Sequence, residues 1–434
     1  MNVLLVGSGG REDALAWRIR QSPLVERLLA APGNPGIARH ATCVDVRAAD
    51  LDGIMALAAA ERIDLTVVGP EAPLVAGLAD RLEDRGLTVF GPRRQAAAIE
   101  GSKAFAKALM ARHGIPTARF ATFDDATAAR RFARELGAPL VVKTDGLAAG
   151  KGAIVCATLA DADRAIADCL ERRAFGLSGA TVVIEEFMAG EEASFFVIAN
   201  GRDAVPLAAA QDHKTIFDDD RGPNTGGMGA YSPAPRVDAA MRDRVMAEIV
   251  RPTIAALAKD AEPYRGVLYV GLMLTAAGPR VVEFNCRFGD PECQALVARS
   301  GPDWVPLLRA AARGDALDAG APWTTDWNAG GAADAAVCVS VASGGYPGPY
   351  ATGVVIDGVE RAEQHAGVRV FHAGTARRDG RLVTNGGRVL GVTAVAADLD
   401  TAIARAYAAV SEITFDGMHY RRDIGRKALA ARRG

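Results

Sequence analysis

The first hundred residues alternate short apolar runs with helical patterns, and this alternation limits the possible folds more than any other feature of the chain. Each apolar run has the length of a buried strand, and two of the runs end in a Gly-Pro turn. Strands that alternate with helices at this spacing predict a parallel sheet, in a domain at about residues 1–100. The predicted strands are Asn2–Val6, Asp64–Val68 and Thr88–Phe90, and the predicted helices are Arg11–Gln21 and Leu74–Arg85.

The rest of the chain divides into a middle domain and a β-rich end. The middle domain is predicted at 101–325, with a helix at Ser102–Arg112 and a small subdomain of strands, loop and helix at about 115–190. A segment at 322–331, rich in Trp, Thr, Asn and Gly, is typical of a linker. The predicted fold class is α/β and α+β multidomain, ending in a β-rich domain at 326–434. Its strands are predicted at Ala335–Ala342, Val354–Asp357, Val368–His372 and Val389–Val395, and its helix near Leu399–Ile413.

The charge of the chain is nearly balanced, and this limits its partners. Its 434 residues include 50 basic and 52 acidic side chains, a formal net charge of −2, so no strong field points to nucleic acid or a membrane surface. No stretch approaches the roughly 18 apolar residues of a membrane span. The six cysteines are scattered without a CxxC pair, which is typical of reduced thiols in a cytosolic protein. We expect a cytoplasmic protein that is a monomer or a small homo-oligomer.

The first glycine-rich loop, Gly7–Glu12, follows a predicted strand and precedes a predicted helix. Backbone amides at a helix N-terminus suit an anionic group such as a phosphate. A dinucleotide fingerprint needs a third glycine where this chain has Glu12, so a dehydrogenase is disfavoured. A phosphate or ribose contact and a purely structural tight turn both remain open.

The second glycine-rich loop, Lys143–Gly152, lies between two predicted strands and carries a lysine near each end. A Walker A motif would need a different glycine spacing and a hydroxyl residue where this chain has Gly152. The loop therefore predicts a flap over a triphosphate, and the alternative is a surface hairpin.

The strongest chemical pattern is Glu283-Phe284-Asn285-Cys286-Arg287. Residues two apart on a strand share one face, so the side chains of Glu283, Asn285 and Arg287 are predicted to point the same way. A carboxylate with an amide oxygen suits Mg²⁺ bound together with substrate phosphates, and the arginine fork suits a carboxylate or phosphate. A solvated strand face is the alternative.

Two further polar stretches are candidates for substrate contact. Residues 185–192, EEFMAGEE, place two acidic pairs around a turn between predicted domains, where a carboxylate can accept hydrogen bonds from ribose hydroxyls. Residues 211–231 contain QDHK and GPNTGGMGAY, and a loop this long in a compact protein is usually functional or disordered.

Ten stretches taken together resemble the ATP-grasp superfamily and, within it, the family of phosphoribosylamine–glycine ligases (glycinamide ribonucleotide synthetases). They follow the family's order over nearly the whole chain, and the combination is specific although no single stretch is. One departure is Asp13, where the family's first loop usually has His. The stretches are GSGGRE, APGNPG, GPEAPL, GSKAFAK, KTDGLAAGKG, EEFMAGEEAS, QDHK, GPNTGGMGAYSP, EFNCRFGDPE and TNGGRVLGV.

The resemblance implies an ATP-grasp fold with an N-terminal parallel α/β domain and a C-terminal β-rich domain. It also implies a reaction of de novo purine biosynthesis, with ATP and Mg²⁺ or Mn²⁺ as cofactors. ATP phosphorylates the carboxylate of glycine, and the amine of 5-phosphoribosylamine then attacks the glycyl phosphate and releases phosphate. The implied partners are these two small molecules, with no nucleic acid and no membrane.

The resemblance also assigns roles to residues of this chain, although it identifies no dedicated general base. Catalytic roles fall to Arg287, Lys143 and Asp212, and the metal ligands are Glu283 and Asn285. The implied nucleotide-binding residues are Lys103, Lys143, Gly150, Lys151, Gly152, Glu186, Phe187 and Glu192. The implied substrate-binding residues are Gly9, Gly10, Glu71, Asp212, Arg287 and Arg388.

Two alternative functions remain open at this point. Another ATP-grasp carboxylate–amine ligase of purine metabolism would share the metal pair, but we expect it to lack the GPNTGGMGAYSP stretch. A nucleotide-binding protein without turnover is the other alternative, although such a protein has little need for Glu283, Asn285 and Arg287 together.

Overall fold

The structure is a computed structural model that describes residues 1–147, 152–299, 301–317 and 334–431. In it, the N-terminal region folds into a parallel sheet. Five strands lie in the order β3-β2-β1-β4-β5, and all their pairings are parallel. The central strand β1 is apolar and buried along most of its length, as a sheet covered on both faces requires. The elements are β1 (Asn2–Gly7), α1 (Gly10–Arg20), β2 (Arg27–Pro32), β3 (Thr42–Cys43), α2 (Leu51–Ala60), β4 (Leu65–Val68), α3 (Glu71–Val75), α4 (Leu78–Glu83), β5 (Val89–Phe90) and α5 (Arg94–Gly101).

The predicted helix Leu74–Arg85 is two helices in the structure, and that prediction was wrong in its bounds. Gly77 lies between them with φ +91°, a left-handed conformation that a glycine adopts without steric cost and that ends α3 before α4 begins. Glu71 is the first residue of α3.

A small subdomain follows the parallel sheet. Its four-stranded sheet has the order β6-β9-β7-β8, and helices α7 and α8 pack on it around a separate apolar core. Its elements and the helix that leads into it are α6 (Lys103–His113), β6 (Phe120–Phe123), α7 (Ala126–Leu136), β7 (Leu140–Thr144), β8 (Ala153–Cys156), α8 (Leu159–Ile166) and β9 (Val182–Glu186).

A second sheet of the middle region carries the predicted metal strand. Its order is β11-β10-β16-β17, with antiparallel pairing throughout. The long strands β10 and β16 are nearly all buried, so they form the floor on which the site is built. The elements are β10 (Glu191–Asn200), β11 (Ala204–Pro206), β12 (Gln211–Asp212), β13 (Thr215–Phe217), β14 (Arg221–Asn224), β15 (Gly229–Ser232), α9 (Ala239–Val245), α10 (Arg251–Asp260), β16 (Arg265–Thr275), β17 (Gly278–Asn285), α11 (Glu292–Ala298) and α12 (Trp304–Arg313).

The C-terminal region is built on an antiparallel sheet in the order β12-β15-β18-β22-β19. Two of these five strands, β12 and β15, come from the middle of the chain. The predicted strand Val354–Asp357 is wrong, because these residues form only isolated bridges, from Val355 to Val383 and from Asp357 to Thr414. The remaining elements are β18 (Ala335–Ala342), α13 (Val359–Ala362), β19 (Val368–His372), β20 (Thr375–Arg378), β21 (Arg381–Thr384), β22 (Arg388–Ala396), α14 (Leu399–Val410) and α15 (Arg426–Ala431).

Candidate active site

The carboxylate and amide of the predicted metal pair lie at the end of strand β17. Glu283 pairs with Gly271 of β16, and Asn285 pairs with Tyr269, so the two side chains share one face of the sheet. A Cβ added to Gly271 would lie 3.3 Å from the Glu283 Cγ, so the missing side chain leaves room for the carboxylate. One carboxylate and one amide oxygen fit Mg²⁺, which takes its other ligands from water and phosphates.

The charge around Glu283 also fits a cation-binding carboxylate. Burial on its own would raise the pKa of Glu283, but the positive charges of Lys214, Lys143 and Lys103 hold that pKa below its ordinary value. Glu283 is therefore ionised at neutral pH. The same lysines give the space in front of Glu283 a positive potential that suits a triphosphate.

A buried ion network joins the small subdomain to strand β17. The Lys143 Nζ donates to the Glu185 Oε2 at 3.0 Å and to the Val282 carbonyl at 2.9 Å. On the other side, the Lys107 Nζ lies 3.1 Å from the same Glu185 oxygen and donates to Thr117 at 2.7 Å. Glu185 lies between the two ammonium groups and thus holds Lys143, the predicted phosphate-binding lysine, in place. Burial lowers the pKa of Lys107 to about 8.

Lys103 is positioned by the start of the second glycine-rich loop. The Ser102 hydroxyl caps helix α6 by accepting from the Phe105 amide, and Asp145 accepts from the Ala104 amide at 3.1 Å. The Lys103 Nζ then donates to the Gly146 carbonyl at 3.2 Å. At the far end of the loop, the Gly152 carbonyl accepts from the Thr144 amide at 2.8 Å. Two predicted residues, Gly150 and Lys151, lie outside the described residues.

The predicted adenine and ribose residues lie where β9 leads into β10. The Glu186 carboxylate accepts from the Arg119 amide at 2.9 Å and pairs with Arg280 at 2.8 Å, so that side chain is held by protein groups. Phe187 is 44% exposed, which leaves its ring face available for contact. Glu192 forms an ion pair with Lys214 at 2.7 Å.

Asp212 lies on β12 among several charged groups. Burial raises its pKa to about 7, Lys214 opposes that rise, and the carboxylates of Glu292, Glu192 and Glu283 add to it. A carboxyl group whose pKa lies near neutrality can exchange a proton under working conditions. The charges of Lys214 and Glu283 therefore both act on Asp212.

Arg287 lies between two carboxylates that come from the N-terminal region. Its Nε donates to the Glu71 Oε2 at 3.2 Å, and its Nη2 donates to the Glu100 Oε1 at 2.8 Å and to the Asn285 Oδ1 at 3.0 Å. Burial opposes the charge on Arg287, but the two carboxylates raise its pKa above its ordinary value. Two residues predicted as separate contacts, Glu71 and Arg287, are thus paired with each other.

The first glycine-rich loop packs closely against the loop that follows Arg287. The Gly9 amide donates to the Glu12 carboxylate at 2.6 Å, so part of the loop's donor capacity is used internally. A Cβ on Gly10 would lie 2.7 Å from the Gln294 Nε2, so the two residues are closely packed. A Cβ on Gly9 would lie 3.6 Å from the Asp290 carboxylate. The predicted glycines therefore lie beside the chain segment that follows the metal strand.

Arg388 reaches this region from the C-terminal sheet. Its Nη1 donates to the carbonyls of Gly226, Gly227 and Asp290 at 2.7, 3.1 and 2.5 Å, and its Nη2 lies 3.3 Å from the Asp290 carboxylate. The guanidinium thus joins the long loop after β14 to the loop after β17, next to Gly9. It is held in place by protein acceptors before any anion binds.

Asp13, the residue that departs from the family pattern, is completely buried at the contact between α1 and β19. Its Oδ2 accepts from the His372 amide at 2.7 Å and lies 3.9 Å from the Arg39 guanidinium. Its Oδ1 has no hydrogen-bond partner among the described residues. Burial raises the pKa of Asp13 to about 7, although the His372 amide and Arg39 both oppose the rise.

Several residues that shape the site were not predicted from the sequence. Lys107 was within reach of sequence reasoning, since it lies four residues after Lys103 on a predicted helix and therefore on the same face. Glu185 is adjacent to Glu186 but points to the opposite face of β9. Glu100 and Gln294 gave no comparable signal. Glu100 acts on Arg287, 187 positions away, and Gln294 donates to Asp290 in the loop before α11.

Three family models of the phosphoribosylglycinamide synthetase match this chain. The N domain matches residues 1–100, the ATP-grasp (A) domain matches 101–293, and the C domain matches 336–427. Similar proteins include the phosphoribosylamine–glycine ligase of Agrobacterium fabrum, 52% identical over 99% of both chains, and that of Pseudomonas aeruginosa, 50% identical over the whole of both.

Two solved structures have folds similar to that of this chain. The phosphoribosylamine–glycine ligase of Thermotoga maritima has a TM-score of 0.84 at 32% identity, covering 98% of this chain and 100% of that one. The biotin carboxylase domain of the Hydrogenobacter thermophilus 2-oxoglutarate carboxylase has a TM-score of 0.74 at 18% identity, covering 96% of this chain and 91% of that one, and supports the fold alone.

The fold and the family matches together define an ATP-grasp enzyme. The matches to all three domains, and to relatives over the full length, narrow this class further. The chain belongs to the phosphoribosylglycinamide synthetase family, and it is an ATP-dependent carbon–nitrogen ligase.

Proposed function

We propose that this ligase joins glycine to 5-phosphoribosylamine in de novo purine biosynthesis. The products are glycinamide ribonucleotide, ADP and phosphate, and glycyl phosphate is the intermediate. One observation carries the proposal: Arg287, beside the metal pair, contacts Glu71 of the N-terminal region at 3.2 Å, so the phosphoryl-transfer groups meet the predicted amine site. The substrates named for the full-length relatives agree with this arrangement.

The first step is transfer of the terminal phosphoryl group of ATP to the glycine carboxylate. A carboxylate is a poor electrophile, and phosphorylation supplies a leaving group. We assign Lys103 and Lys143 to the ATP phosphates, where fixed positive charge stabilises the transferring group without reorganisation. Glu283 and Asn285 would hold Mg²⁺, which neutralises phosphate charge when bound. Mg²⁺ is proposed as the metal in use, and Mn²⁺ is the alternative.

The second step is attack of the amine on the acyl carbon. We assign Arg287 to orient the glycine carboxylate and then the acyl phosphate, since a fixed guanidinium fork matches both groups. As the new C–N bond forms, the acyl C–O bond to the phosphate breaks, phosphate leaves, and the amine nitrogen loses a proton. Asp212 is assigned a catalytic role in this step, and no residue is assigned as a dedicated general base.

The remaining contacts extend this assignment to the rest of the cleft. The residues Gly9, Gly10, Glu71 and Arg388 are proposed for the amine substrate, with Arg388 on its phosphate. The nucleotide is proposed to contact Glu186 and Phe187 through adenine, Glu192 through ribose, and Gly150, Lys151 and Gly152 through phosphate. Residues 1–100, 101–325 and 326–434 are proposed as the three domains, with a flap subdomain at about 115–190.

The cellular setting is also a proposal. All six cysteines are free thiols in the structure, which agrees with a reducing cytoplasm. Among the described residues, the structure contains no helix that is both long and apolar enough to cross a membrane. The proposed assembly is a monomer or a small homo-oligomer, with small-molecule substrates as the only partners.

The test is ADP release with ATP, Mg²⁺, glycine and freshly made phosphoribosylamine, omitting each component in turn. We expect ADP formation that needs both glycine and the amine. ADP that forms without glycine would contradict the assignment and point to another acid substrate for an ATP-grasp ligase. Absence of ADP from folded protein with every component present would favour a nucleotide-binding protein without turnover.

A further inference from the structure

Glu100 lies in the last turn of helix α5, between the parallel sheet and Lys103. Its side chain is only 8% exposed, and both carboxylate oxygens are used. Oε1 accepts from the Arg287 Nη2 at 2.8 Å, and Oε2 accepts from the Cys286 amide at 2.7 Å. A carboxylate at a helix C-terminus is disfavoured by the helix dipole. The two contacts across the cleft therefore compensate for its unfavourable position.

The five N–H groups of Arg287 are not equally available to a substrate. Both protons of Nη2 are used, one by Glu100 and one by the Asn285 Oδ1. The Nε proton goes to Glu71 at 3.2 Å, and one Nη1 proton goes to the Phe288 carbonyl at 3.2 Å. Because Cδ lies between Nε and Nη1, these two nitrogens do not form one donor edge. Both Nη2 protons are already held, so an anion reaches Arg287 at Nε, where it must replace Glu71.

Exposure separates the roles of the two carboxylates. The Glu71 side chain is 27% exposed, whereas that of Glu100 is 8% exposed. A contact that is partly exposed to water is replaced more easily than a buried one, because water compensates the released carboxylate. Glu100 also holds the backbone of Cys286, so it fixes the strand end from which Arg287 projects.

We propose that Glu100 is a positioning residue: it holds Nη2 of Arg287 and so leaves the Nε proton to the glycine carboxylate, which displaces Glu71 there. The inference rests on the proposed function. Glu71, once displaced, becomes an acceptor for the amine substrate. Occupation of the glycine site therefore prepares the amine site.

The test compares Glu100→Gln with a matched control, Glu83→Gln. Glu83 also joins the N-terminal region to the middle region, through Arg265, and it pairs with Arg93 as well, but it contacts none of the candidate site residues. Glutamine at position 100 offers one acceptor to two donors, so the Arg287 fork shifts, and a displacement of about 1 Å can cost on the order of 10²-fold in rate. We expect kcat/KM for glycine to fall 10- to 100-fold, with the KM for ATP within twofold, while Glu83→Gln stays within twofold throughout.

A double-mutant cycle shows whether the effect passes through Arg287. In the Arg287→Lys background there is no fork to position, so Glu100→Gln is expected to change kcat/KM for glycine less than threefold. An undiminished effect in that background would overturn the inference, as would a loss of ATP affinity and of melting temperature in parallel with activity. Wild-type enzyme without ADP formation dependent on glycine and the amine would instead overturn the proposed function, and the inference with it.

Discussion

The buried carboxyl of Asp13 predicts a specific dependence of stability on pH. The pKa of Asp13 rises from 3.8 to about 7 on folding because burial disfavours its charge. The folded protein therefore binds this proton more tightly than the unfolded chain. The contribution of Asp13 is most favourable below pH 4 and is lost as pH rises toward 7. About three pKa units correspond to about 4 kcal/mol across the whole window, as an order of magnitude.

The assay compares thermal or denaturant unfolding of the wild type and of Asp13→Asn from pH 5 to pH 8. Asparagine keeps the acceptor for the His372 amide but does not ionise, so the variant should become relatively more stable as pH rises. We expect the difference in unfolding free energy to grow by about 2–3 kcal/mol over this range. Asp52→Asn, at a side chain that is 85% exposed, is the control and should give a flat difference. A difference for Asp13→Asn that is flat, or that shrinks with rising pH, would refute the reasoning.

Three further substitutions test the site. Glu283→Gln removes the negative charge of the proposed metal ligand, and we expect kcat to fall by roughly 10²- to 10³-fold without loss of folding; near-normal turnover would exclude Glu283 as a ligand. Glu185→Gln leaves Lys143 and Lys107 as buried cations without a counter-charge, which should lower the free energy of unfolding by about 3–5 kcal/mol. Denaturant unfolding and the KM for ATP are the measurements, and an unchanged unfolding curve would contradict this expectation. Arg388→Gln removes a charged donor proposed for the substrate phosphate, so kcat/KM for the amine should fall by roughly 10- to 100-fold. An equal fall for glycine and ATP would instead indicate general disruption of the loops after β14 and β17.

The part of the site that lies on one strand was predictable from the sequence. Glu283 and Asn285 alternate on β17, and a strand fixes the direction of its side chains without help from the rest of the fold. The parallel sheet was predictable for a similar reason, because the apolar runs and their turns are local features. The family resemblance added the fold and the reaction, and the full-length matches confirm both.

The pairing of side chains across the cleft was not predictable in the same way. Arg287 meets Glu100 and Glu71 across 187 and 216 positions of sequence, and no local pattern indicates which acid meets which base. The error at Leu74–Arg85 has another cause. The helical spacing of apolar residues continues on both sides of Gly77, but the left-handed backbone at Gly77 ends α3 before α4 begins.

The five-stranded antiparallel sheet described above joins distant parts of the chain into one cooperative unit. Strand β18 pairs with β22 on one side and with β15 on the other, and β15 lies about a hundred positions earlier in sequence. A fragment that begins at residue 334 would leave the β15 side of β18 with unpaired amides and carbonyls, an edge that invites pairing with other chains. The modules that are recognisable by sequence are therefore not interchangeable parts. Grafting the C-terminal region onto another enzyme would require carrying residues 211–232 with it.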